Sequence, residues 1–254
     1  MNAAGSMTGI GKHVARIGGL VAVVAVLAGC MEQEVAVNVS PDGTGTVTVT
    51  QLPRMIKAEG GKTALTPLDV STVAVWATAF NESVTLVSAT TFADGKGTAI
   101  RAVFSFSDIN KLEVPTTAII PNVKGPRITF KMVPAGAGVR LIATMPKSPE
   151  PKPGAPKPKT DPKEAEKVLN QIRDVAGTFK MSVVVTPSRP IKKTSARFRK
   201  GSTVTLLQLD WGQLLKKKDI LDGQAGGVLL DRKADELNKL PGCKVATGDV
   251  TIEF

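Results

Sequence analysis

The chain has 254 residues, 33 Lys and Arg against 22 Asp and Glu, a formal net charge of +11, one histidine, two cysteines and no tyrosine. The single histidine, His13, lies in the first 29 residues, so a chain cut before Cys30 lacks the usual general base near neutral pH, Ser-His and Cys-His machinery, and His-containing zinc or haem sites. With the Cys30 thiol taken up by lipid, as its surroundings imply below, only Cys243 is a free thiol, which excludes an internal disulfide and leaves a hydrophobic core to hold the fold.

The N-terminal stretch carries Lys12 and Arg16, no acidic residue, and then the apolar run Leu20 to Ala28. A positive flank followed by a short apolar segment is a secretory signal. A spanning helix needs about 20 apolar residues, more than this run supplies. It ends in Leu27-Ala28-Gly29-Cys30, which resembles a bacterial lipobox: a branched residue, two small residues for the peptidase cleft, and a cysteine whose thiol takes a diacylglycerol. The expectation is a leader over 1–29, cleavage before Cys30, and a lipid-anchored chain on a bacterial cell envelope. Two or more acyl chains hold a protein stably where one does not. By resemblance to Gram-negative lipoproteins, Met31 in place of Asp implies the outer membrane, facing the periplasm, where the organism has one.

Three segments share one turn pattern: Pro41-Asp42-Gly43-Thr44-Gly45-Thr46, Ala93-Asp94-Gly95-Lys96-Gly97-Thr98 and Pro134-Ala135-Gly136-Ala137-Gly138-Val139. Closely spaced glycines supply the positive φ angles of tight turns, and the flanks alternate apolar and polar, which predicts three β-hairpins. Val35, Val37 and Val39 share one strand face; so do Ile100, Ala102, Phe104 and Phe106, and Ile128, Phe130 and Met132. Between the first two hairpins, Thr66-Pro67 reads as the cap and first turn of a helix whose stripe, Val73, Trp76, Ala77 and Phe80, packs on the sheet.

From Pro146 to Thr160 proline and lysine alternate, a composition that forms neither ladder nor core and reads as linker or surface excursion. Asp161-Pro162-Lys163-Glu164 then opens a predicted helix with Ala165, Val168, Leu169, Ile172 and Val175 on one face, ending before Gly177. Strands near 179–186 and 203–209, short helices near 211–217 and 231–240, and a closing strand over 249–254 complete the second half. The domain reading is a hairpin-rich segment over 30–145, the linker over 146–160, and an α+β segment over 161–254 that either stands apart or completes the same domain.

The densest charge is Arg189, Lys192, Lys193, Arg197, Arg199 and Lys200, with no acid among them. Such a cluster reads either as a solvated loop or as a dock for anionic headgroups or phosphate-bearing envelope polymers. An exported chain meets little nucleic acid, so none is expected as partner. Gly61-Lys62-Thr63 lacks the glycine a phosphate-binding loop needs five residues earlier, where Ile56 stands. Cys243 reads as a small buried hydrophobe. With Met31 to Gln33 as the whole tether, the first strand begins within roughly 10 to 15 Å of the headgroups.

Glu34-Val35-Ala36-Val37-Asn38-Val39-Ser40-Pro41-Asp42-Gly43 resembles the start of LppM-type bacterial lipoproteins of unknown function, where a strand and a glycine turn follow the lipidated cysteine at once. Phe104-Ser105-Phe106-Ser107-Asp108 and Val183-Val184-Val185-Thr186-Pro187 fit the same pattern, while the Pro/Lys stretch and the C-terminal extension depart from it. The resemblance implies an α+β envelope domain and supplies no catalytic residues. The expectation is an α+β fold, an antiparallel sheet of hairpins with helices packed on one face, preceded by a cleaved signal peptide. The function expected is that of a non-enzymatic lipoprotein, without cofactor or metal, binding an amphiphile or anionic envelope component at the membrane surface. The alternative is a structural or assembly partner of another envelope protein, with the Pro/Lys stretch as docking strip.

Overall fold

The computed structural model describes residues 32–52, 55–57, 63–65, 70–80, 84–95, 97–117, 119, 125–147, 179–214, 216 and 234–254. The lipobox residues Leu27, Ala28, Gly29 and Cys30, the linker from 148 onward and the predicted helix over 161–177 lie outside them. In chain order the strands are β1 (Glu32–Val39), β2 (Gly45–Leu52), β3 (Met55–Lys57), β4 (Thr63–Leu65), β5 (Thr85–Asp94), β6 (Gly97–Phe106), β7 (Glu113–Pro115), β8 (Arg127–Ala135) and β9 (Gly138–Thr144). After the Pro/Lys stretch come β10 (Lys180–Pro187), β11 (Lys193–Thr194), β12 (Arg199–Lys200), β13 (Thr203–Asp210), β14 (Lys244–Val245) and β15 (Asp249–Glu253).

The three predicted hairpins form, as β1–β2, β5–β6 and β8–β9. In the first turn the Asp42 carboxylate accepts from the Thr44 amide at 3.0 Å and from its hydroxyl at 2.8 Å. Gly43 takes φ +87°, a conformation open to glycine at little steric cost. Gly45 is needed for space instead: a Cβ there would overlap the Asn38 carbonyl oxygen and crowd the Phe106 ring.

An eight-strand sheet runs β12-β13-β10-β1-β2-β6-β5, with β14 also on β13, and a five-strand sheet runs β11-β15-β9-β8-β7. Beside them β3 and β4 pair as a separate hairpin. All pairs are antiparallel except β1 with β10, which run in parallel from Glu32 opposite Lys180 to Val39 opposite Pro187. Strands from before and after the Pro/Lys stretch therefore meet in both sheets, at β1–β10 and at β9–β15. On one face of the larger sheet Val35, Val37, Val39, Val47, Val49, Ala102, Phe104, Val183 and Val185 are buried, while Asn38, Thr46, Thr48, Arg101 and Ser182 point the other way. The smaller sheet buries Ile128, Phe130, Leu141, Ala143, Val250 and Ile252, and the two faces share one continuous core.

This corrects the expected α+β class. The fold is β-rich, with two sheets rather than one sheet covered by helices. Among the described residues helix is limited to a ten-residue 3-10 segment, Val70–Ala79, and three pieces of three or four residues at Ile109–Lys111, Trp211–Leu214 and Ala234–Leu237. Each sheet has one apolar face, and two such faces cover each other as well as helices would. The 70–79 segment is rich in Val and Thr, which lose rotamer freedom in an α-helix. It buries Val73, Trp76 and Ala79 at a spacing of three, with Ala77 only half-buried, and Phe80 sets its ring 5.7 Å from that of Phe104. The Arg127 guanidinium on β8 donates to the carbonyl of Ala79 and lies 3.5 Å from Glu113, tying this segment to the smaller sheet.

Candidate functional site

Residues 188–200 form a strap that leaves the large sheet, crosses to the small one and returns. It departs where the Ser188 amide donates to the Val39 carbonyl at 2.9 Å, and Ile191 is buried beneath it. The Lys192 amide donates to the Glu253 carbonyl at 2.8 Å, and Lys193 and Thr194 pair with Glu253 and Ile252 as the edge of the small sheet. The Thr194 hydroxyl donates to the Thr251 carbonyl at 2.7 Å, and the Ser195 hydroxyl accepts from the Thr251 amide at 2.9 Å. The strap then rejoins β13 through Arg199 and Lys200, closed by Gly201 at φ +59°. Hydrogen bonds at both sheets hold its backbone, so its side chains project from a fixed frame.

All six basic residues of the predicted cluster, Arg189, Lys192, Lys193, Arg197, Arg199 and Lys200, are exposed. The extended run from 193 to 199 alternates, turning Thr194, Ala196 and Phe198 inward and Lys193, Arg197 and Arg199 outward. Arg197 lies 3.5 Å from Asp235, both well exposed, with its guanidinium 5.5 Å from the Phe198 ring centre. The Arg199 Nε donates to the Gly201 carbonyl at 2.7 Å, a contact that leaves the charge uncompensated. Arg189, Lys192, Lys193 and Lys200 have no carboxylate within ion-pair distance among the described residues.

The fold adds one cation that the sequence reading missed. Glu253 stands between Lys193 and Arg140 in the β11-β15-β9 ladder, and Arg140 holds it at 2.6 Å. The one acid facing Lys193 is thus already engaged, and Arg140 extends the basic row onto β9. No local signal marked Arg140, because only strand pairing between β9 and β15 brings it beside the strap. Gly138 is needed for space against the C-terminal residue: a Cβ there would lie 2.5 Å from the Phe254 carbonyl oxygen.

The strap stands at one end of the central strands. β1 begins at Glu32 and ends at Val39, where the strap starts, and seven residue steps of about 3.3 Å put these ends about 23 Å apart. At the Glu32 end a groove of about 280 Å³ lies on the polar face, lined by Glu32, Glu34, Lys180, Ser182, Gln208 and Asp210 among others. Its charges are of both signs, and Lys180 sits 3.5 Å from Asp210. Nearby Cys243 is buried, and burial pushes its thiol above the ordinary range, which disfavours the nucleophilic thiolate. Next to the groove the core layer itself turns polar: Gln33 faces Gln51 across β1 and β2, both buried, and Gln33 Oε1 accepts from the Ile119 amide at 2.9 Å.

A two-sheet β fold carrying a basic strap on its rim is the class these features define. No family model matches the chain. No curated protein matches it. Among solved structures it is similar to the NMR structure of the Mycobacterium tuberculosis LppM protein folded domain, at 11% identity and a TM-score of 0.32, over 72% of this chain and 84% of that one. That likeness is weak and assigns no role to any strap residue.

Proposed function

We propose that the chain is a membrane-anchored, non-enzymatic envelope lipoprotein whose strap binds an anionic envelope component. The observation that carries this reading is the strap itself: six exposed cations on a backbone bonded to both sheets, with one exposed acid in reach. A single-sign cluster repels itself, and a fixed frame retains that repulsion until a polyanion relieves it. The signal-like leader and the lipobox at Leu27 to Cys30 support the anchor and an envelope location.

The strap's place refines which anion is meant. Anchored at Cys30, with β1 upright, the strap faces away from the anchoring leaflet by about the length of β1. An extended polyanion above the membrane, with repeated phosphate or carboxylate groups, suits that position better than headgroups at the anchor. The test uses the full chain with Cys30→Ser, so that no acyl chain is added, mixed at low salt with soluble polyphosphate and separately with phosphatidylglycerol vesicles. The polymer is expected to bind and to be released by salt as screening sets in. Reversal at Lys192, Lys193 and Arg197 to Glu is expected to weaken binding at least about tenfold, on a scale of ~1 kcal/mol per cation at a charged surface. No binding of the polymer at low salt sinks the proposal, and binding to vesicles alone returns the strap to the membrane surface.

A further inference from the structure

Sheet edges present unpaired N–H and C=O groups, and proteins blunt them with short strands, charges, proline or bulges. Among the described residues, three of the four edges of the two larger sheets are blunted. Beyond β13 lie only β12 and β14, two residues each, carrying Arg199, Lys200 and Lys244. The small sheet ends in β11, two residues with Lys193, and in β7, three residues with Glu113 and Pro115.

The fourth edge is different. β5 runs for ten residues, Thr85–Asp94, has no Lys, Arg or Pro, and carries no charge before Asp94. Among the described residues it pairs with β6 alone, and none of its residues is buried. Its one blunting feature is a bulge-like register shift between Leu86 and Ser88, near one end, where Val87 stands 62% exposed, and the ladder from Ser88 to Asp94 is regular. The neighbouring 3-10 segment packs against β5, likewise holds no charged residue, and exposes Val75 at 45%. Val75 and Val87 are the large apolar side chains left exposed among the described residues, and they belong to adjacent elements.

We propose that β5 pairs antiparallel with β5 of a second copy, joining the two large sheets across a two-fold axis. The charge distribution selects this occupant. Strongly basic copies repel over most of their surface, and an edge strand without charge from Thr85 to Ala93 is where two of them meet with the fewest like charges opposed. The nearest cation, Arg101 on β6, lies back over the Phe92 ring of its own copy, 5.0 Å from its centre. Antiparallel pairing sends the two Asp94 carboxylates to opposite ends of the shared ladder, away from each other. The dimer is independent of the strap, which sits at another edge.

Sedimentation equilibrium of the full chain with Cys30→Ser tests this. A monomer–dimer equilibrium is expected, and Val87→Lys with Thr91→Lys should raise the dimer dissociation constant at least about tenfold. Val87→Thr, uncharged and β-branched, should leave the dimer in place. A wild-type monomer at about 100 µM overturns the proposal, as does a lysine pair that dimerises like the wild type. Should the lysine pair not fold, hydrogen exchange of the wild type decides: β5 amide protection that rises with protein concentration supports pairing, and concentration-independent exchange rules it out.

Discussion

The two ends of β1 are built on opposite electrostatic terms. At the Glu32 end the groove is lined by Glu32, Glu34 and Asp210 with Lys180 of opposite sign among them, and Lys180 and Asp210 answer each other at 3.5 Å. At the Val39 end the strap gathers cations, and the acids nearest it, Glu253 and Asp235, are already engaged by Arg140 and Arg197. The first mixes both signs around one groove. The strap itself carries one sign only, and that difference singles it out as a binding surface more strongly than its charge count alone.

Both ends hang on one core, so the largest effect is to remove what they share. Phe104 is fully buried against Phe80, and Phe104→Ala should cost about 3–5 kcal/mol in chemical denaturation, with both ends melting in one transition. Gly45→Ala strikes the Val39 end selectively, where the new methyl meets the Asn38 backbone and the Phe106 ring; a loss of about 2 kcal/mol or more is expected by the same measurement. Gly95→Ala, in the hairpin turn at the other end, meets nothing within 4 Å and bears only the strain of its φ of +22°, so it should cost less.

Acid and alkali should separate the ends next. Near Val39, hydrogen bonds from Thr44 hold Asp42, and those from Asn110 hold Asp108, below the ordinary carboxylate value of 3.8. A depressed carboxylate stabilises the fold above its unfolded pKa and loses that contribution as pH falls through the folded one. Asp42→Asn with Asp108→Asn should therefore flatten the acid limb of a stability–pH profile. Near Glu32, Cys243 is raised above 9.0 mainly by burial. Its contribution is present below the ordinary thiol pKa and is lost as pH climbs through the raised value, so Cys243→Ala should flatten the alkaline limb. The smallest effects have opposite signs. Lys180→Gln breaks a half-exposed ion pair and should lower the melting free energy by a few tenths of a kcal/mol, whereas Lys200→Gln relieves repulsion on the strap and should raise it by about as much while weakening polyanion binding.

The glycine turns and the alternation of Val35, Val37 and Val39 were enough to read the hairpins and to say which faces are buried. They were silent on partners. Alternation records which side of a strand is apolar, and β10, with Met181, Val183 and Val185 inward, looks the same whether it pairs in parallel or antiparallel. The β1–β10 pairing spans the Pro/Lys stretch, so no local signal announced it, and without it the second sheet was invisible as a separate layer. The helix expected after Thr66-Pro67 is present over 70–79 with Val73, Trp76 and Phe80 buried, but as a 3-10 helix, because those positions fit a period of 3.6 about as well as the observed period of three. The strap's cations were legible as residues, but their fixed spacing, Arg140 and the distance from Glu32 all depend on pairings between distant strands.

One consequence of the parallel β1–β10 pair is mechanical. Force entering through the N-terminus reaches β1 first, and β1 lies inside the large sheet, bonded to β2 on one side and β10 on the other. A pull along its axis loads both ladders at once in shear, whereas an edge strand would peel away one hydrogen bond at a time. A chain tugged from residue 32 should resist like a rivet and yield last at its point of attachment.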